Sequence, residues 1–112
     1  MVASPGPAAY PVAMTILDVA KRLAAAHQTE DPTTSDVFLA ESEDEVRLVE
    51  VSKSVGTTGQ VLPFRFGPRA DQNIPYPSVV VVLSPAEWEL VRKGELKLPD
   101  GWGDAISLKK IA

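Results

Sequence analysis

The chain has 112 residues, 45% of them hydrophobic and 23% charged, with a formal net charge of −4 at pH 7 and no cysteine. Those figures describe one modest hydrophobic core and exclude disulfides and thiolate metal sites. The acidic balance argues against nucleic acid or an anionic membrane as partner, since both select a basic footprint, and no apolar run approaches the roughly 20 residues of a membrane helix.

Met1 to Val12 is rich in proline, alanine and glycine and is expected to be extended. It lacks the basic start of a signal peptide, and its apolar residues are broken by Pro5, Pro7 and Pro11. Residues 1–13 therefore read as a proline-rich arm ahead of one α+β domain over 14–112. The absence of cysteine agrees with a reducing cytoplasm as the place where it acts.

Thr15 opens the first helix as N-cap, with Asp18 at the third helical position. Ile16, Ala20, Leu23 and His27 share one face of an amphipathic helix over 16–27, and Asp18, Lys21 and Arg22 line the other. Asp31-Pro32 and Thr33-Thr34-Ser35 are loop chemistry. Val37 to Ala40 reads as a short strand, joined through the acidic turn Glu41 to Glu45 to a longer strand, Val46 to Val51, in a hairpin. Apolar residues fall on both parities of that second strand. Either both its faces are covered, or a bulge switches the phase near Leu48-Val49.

After the turn Gly56-Thr57-Thr58-Gly59, a strand is expected over 61–67, with Leu62, Phe64 and Phe66 on one face. Pro63 inside it demands an edge position or a bulge. The most legible stretch follows a connector over 68–77. Ser78-Val79-Val80-Val81-Val82-Leu83 is too β-branched for a preferred helix and apolar on both parities, as in a strand covered on both faces. It runs into a complete helix start. Ser84 is the cap, Pro85 the first helical residue, Glu87 the return partner of a capping box and Leu83/Trp88 a hydrophobic staple. Gly94 stops that helix near Lys93. Glu95 to Leu98 and Ile106 to Leu108 are expected as brief strands.

The fold class is therefore α+β: a mainly antiparallel sheet of about four strands, with the N-terminal helix on one face and a short helix after the central strand. What covers the second face of the valine strand is then the question. The short helix is one answer and a second copy of the chain is the other.

Chemistry is thinly signalled. His27 is the only histidine, and at a helix end it is expected to meet the last carbonyls or pack on the core. The four carboxylates of 41–45 lack the glycine-turned ligand array of a calcium loop and read as a solvated turn. Lys53 to Gly59 has glycines, lysine and threonines but not the order of a phosphate-binding loop. No catalytic residue, metal ligand or cofactor is expected.

The residue types that favour recognition are Arg65, Arg69, Tyr76 and Trp102, placed at strand ends and in proline-rich connectors. The favoured reading of these four is that Tyr76 and Trp102 finish the ends of the core and the arginines are solvated. The two-sided valine strand in a chain with two expected helices, together with the proline-rich arm, suggests a non-enzymatic interaction or assembly module, as a homodimer or bound to a protein partner. A small-ligand or enzymatic cleft near Arg65, Arg69, Tyr76 and His27 is the alternative, and it requires those residues to converge on one pocket.

Overall fold

The structure, a computed structural model, describes residues 14–112; the proline-rich arm lies outside them. The elements are α1 (Ile16–Glu30), β1 (Thr34–Ala40), β2 (Val46–Ser52), β3 (Phe64–Phe66), β4 (Ser78–Leu83), α2 (Pro85–Arg92) and β5 (Lys109–Lys110). Short 3-10 turns lie at Ala70–Gln72 and Ala105–Ser107. The five strands form one sheet in the order β3-β4-β2-β1-β5, with β2 and β4 parallel and every other neighbour antiparallel.

Both helices begin as their sequences demand. Thr15 Oγ1 accepts the Asp18 amide while Asp18 returns to the Thr15 amide, a reciprocal capping box. Ser84 and Glu87 repeat the motif at α2, with Pro85 at the position where a missing N–H is harmless. Gly94 ends α2 in the left-handed conformation at φ +76°, where its amide reaches Val91 O at 3.1 Å. α1 runs one turn beyond the expected end, because Asp31 caps it through an amide bond to His27 O.

The parity of the valine strand sorts the core. Val79, Val81 and Leu83 face a cluster with Val49, Val91, Leu98 and Trp102, under α2 and the segment that follows it. Val80 faces the opposite cluster with Val19, Ala24, Val37 and Leu48, under α1. β2 is covered on both faces too, so no bulge switches its phase at Leu48-Val49; the irregularity in the β1–β2 ladder lies between Thr34 and Asp36. The lids come from within the chain, so covering the valines needs no second copy.

Four expectations change in detail. Thr34 and Ser35, expected in the loop, already belong to β1, with Thr34 paired to Ser52. The strand over 61–67 shrinks to Phe64–Phe66, since Pro63 has no N–H for the ladder. Residues 95–98 are not a strand. The amides of Glu95 and Leu96 turn back onto Leu90 O, and Leu98 is buried instead in the α2-side core. Residues 106–108 lie in and beside a 3-10 turn, and a fifth strand of two residues, Lys109–Lys110, follows it against β1.

Glu87 does more than cap. Its side chain is buried at 2% exposure. Oε1 accepts the Ser84 amide at 2.9 Å, and Oε2 accepts the amides of Thr58 and Gly59 at 2.9 and 3.0 Å. Burial pushes its carboxyl up, but the amides of Ser84, Thr58 and Gly59 together outweigh that and hold it below the usual 4.5. One carboxylate thus joins the start of α2 to the loop between β2 and β3.

Replacing Glu87 by Ala leaves three amides without their acceptor and should cost about 2–3 kcal/mol in urea denaturation. The wild-type contribution is present above the unfolded carboxylate pKa and fades as pH falls through the lower folded value, so the difference between wild type and Glu87→Ala should shrink on acidification. A loss under about 0.5 kcal/mol at neutral pH would contradict this role.

Candidate functional site

A helix is about 10 Å across and strands lie about 4.8 Å apart, so one helix covers roughly two strands. α1 packs on β1 and β2. The β3 side of the same face is left to side chains and to the connector over 67–77, and there the surface opens. Phe64 and Phe66, paired with Val80 and Ser78, point to the α1 face and are 56% and 44% exposed. Leu62, just outside the strand, is 61% exposed.

Between these phenylalanines and the end of α1 runs a cleft in two neighbouring parts. One, of about 270 Å³, holds His27, Asp31, Glu50, Phe64 and the half-buried Val82. The other, of about 230 Å³, lies between Leu23 and His27 of α1 and Phe66, Arg69 and Gln72 on the connector side. His27, Glu30 and Phe66 border both parts.

The floor of the cleft is a titratable pair. Glu50 continues the inward parity of Val46 and Leu48 on β2 and is 5% exposed. A carboxylate at such a register needs a partner. His27, in the last turn of α1, supplies it through an Nδ1 hydrogen bond to Glu50 Oε2. That bond raises the imidazole pKa above its usual 6.5, against an opposing push from burial and with further help from the charges of Glu50 and Glu30.

Beside the pair, Asp31 Oδ2 accepts hydroxyl bonds from Ser52 and Ser54, both at 2.6 Å, and Oδ1 accepts Thr33 Oγ1 at 2.6 Å. The hydroxyls of Ser52, Ser54 and Thr33 hold this carboxyl well below the usual carboxylate range. With Ser54 donating to Asp31 and no described hydroxyl bonded to His27, the pair has an orienting carboxylate but no nucleophile in hand. Among the described residues no group of three His, Asp or Glu side chains is arranged to hold a metal, and no helix is long and apolar enough to cross a membrane.

The structure brings only part of the expected recognition set together. His27 and Arg69 meet at the cleft. Arg65 points to the opposite face of β3, 71% exposed and 3.7 Å from Glu45. Tyr76 packs under α1, where its hydroxyl donates to Met14 O at 3.0 Å. Trp102 is buried in the α2-side core. Glu50 escaped the sequence reading, although a carboxylate two residues beyond Leu48 on an inward register was a usable signal. Phe64 and Phe66 were placed on one face, but their exposure depended on how far α1 reaches.

Comparison with protein-family models, curated proteins and solved structures gave no match.

An NMR titration should place the His27 pKa above 6.5 and show Glu50→Gln returning it toward that value. The pair stabilises the fold fully below the unfolded histidine pKa, and that contribution fades as pH rises through the higher folded value. His27→Ala leaves Glu50 buried without its partner and should cost about 2–4 kcal/mol at pH 6. A His27 pKa unmoved by Glu50→Gln would refute the pairing.

Proposed function

We propose that this protein is an interaction module that associates with a second copy of itself through β3. The observation that carries the reading is an edge strand that displays Phe64 and Phe66 to solvent while its outer backbone has no ladder partner among the described residues. Exposed aromatic side chains beside free strand hydrogen-bonding groups form a template for adding a strand. The segment Phe64-Arg65-Phe66 reads the same in both directions. Antiparallel pairing about a two-fold axis at Arg65 would set Phe64 of each copy against Phe66 of the other, a favourable cross-strand pair made twice.

The same geometry limits the strength of association. Pro63 ends the ladder on one side and the strand is three residues long. The two Arg65 side chains would also face each other, each with Glu45 nearby. A reversible dimer with a dissociation constant on the order of 100 µM fits such a small contact better than an obligate one.

Sedimentation velocity from about 5 to 500 µM should show a weight-average mass rising from monomer toward dimer. Phe64→Ser/Phe66→Ser should stay monomeric throughout with unchanged circular dichroism. A wild type that remains monomeric over the whole range, or a double variant that associates equally, would overturn the reading.

A further inference from the structure

The inner part of the cleft, between α1 and the connector after β3, shares Phe66 with the β3 edge but is otherwise lined by α1 and the connector, and its chemistry points to a ligand. We propose that it binds a small organic carboxylate with a flat apolar body, the carboxylate held by Arg69, Gln72 and His27 and the body seated against Leu23, Phe66 and Ile74.

Three observations carry this. The first is Arg69 itself. It lines the cavity, has no carboxylate within ion-pair distance among the described residues, and is set by its backbone rather than by a floppy loop. Its amide and carbonyl both pair with Ile74, at 2.8 and 2.9 Å, and Asn73 takes the left-handed conformation at φ 58° to close that turn. A guanidinium on a tied turn is presented in a restricted arc, and its planar fork suits a carboxylate.

The second is the orientation of His27. Nδ1 is taken by Glu50, so the imidazole has its other nitrogen left for a ligand, and the ring borders the cavity. The third is size and polarity. About 230 Å³ with an aromatic ring, two aliphatic side chains and a few polar groups suits a ligand of roughly ten heavy atoms.

Charge narrows the class. The groups facing His27 are Glu50 from β2, Glu30 and Asp31 at the end of α1, and Arg69 from the connector. Asp31 is saturated by three hydroxyls. Those hydroxyls leave Asp31 charged, so Arg69 and the imidazolium are set against three carboxylates, Glu30, Asp31 and Glu50. A ligand carboxylate must be held by direct contact with Arg69 rather than by the net charge of the site, and a second negative charge is opposed. A monoanion is therefore favoured over a phosphate dianion.

The test uses the full chain, labelled with 15N, and three probes of one shape: phenylacetate, phenylacetamide and phenethylamine. Phenylacetate should give saturable shifts at the amides of Arg69, Gln72 and His27, with at least about tenfold tighter binding than the amide and tighter still than the amine. Arg69→Gln, a change at an exposed side chain, should weaken phenylacetate at least about fivefold while leaving phenylacetamide unchanged. Raising pH through the His27 titration should weaken phenylacetate alone.

Equal binding of acid and amide, preference for the amine, indifference to Arg69→Gln, or no saturable shift at millimolar probe would each overturn the assignment. Shifts centred on Phe64 rather than on Arg69 would move the ligand to the β3 surface and overturn it equally.

Discussion

The buried carboxylate of Glu87 is the contact on which the arrangement turns. Its two oxygens hold the first amide of the α2 cap and two successive amides of the loop after β2. The ends of β2 and β4 and the start of α2 lie together at that point, because β2 and β4 run parallel and in register from Val46↔Ser78 to Val51↔Leu83. A parallel pair usually requires a helical crossover. Here β3 supplies the return path. The chain leaves β2, passes the place of β4, comes back along β3 at the edge, and turns through the connector into β4. The loop fastened by Glu87 is what carries the chain to that edge.

The distribution of cover follows. With β4 inserted between β2 and β3, the sheet is wider on the β3 side than α1 can reach, and the second helix sits on the opposite face. The β2–β4 centre is covered on both faces as far as the half-buried Val82, while the β3 margin keeps exposed phenylalanines and a cleft. The unsealed margin lies beside His27 and Glu50, so the one buried acid–histidine pair borders the one large aromatic exposure among the described residues.

Much of the fold was legible in the residues because its signals are local. The Thr15/Asp18 and Ser84/Glu87 boxes, the parity of 79–83, the acidic hairpin turn and the breaking effect of Pro63 all act within a few positions. The site was legible only in part. His27 and Arg69 are 42 residues apart in sequence numbering, and nothing local announces that α1 and the connector bring them to one cavity. Trp102 carries the residue type of a recognition surface but is drawn into the core by the turn over 99–103 and the burial of Leu98. The covering of the valine strand was a matter of counting lids. The segment after α2, which lacks regular periodicity, supplied the one that could not be read in advance.

Amide hydrogen exchange at two protein concentrations tests the central claim most directly, namely that the chain seals its sheet centre by itself and leaves β3 open. At low concentration the amides of β2 and β4 should exchange only through global unfolding, while those of 64–66 exchange through a smaller local opening. On concentrating the sample, protection should rise at 64–66 and stay constant in β2 and β4. Uniform protection of all three strands in the dilute sample, or β4 amides that gain protection along with β3, would contradict the account.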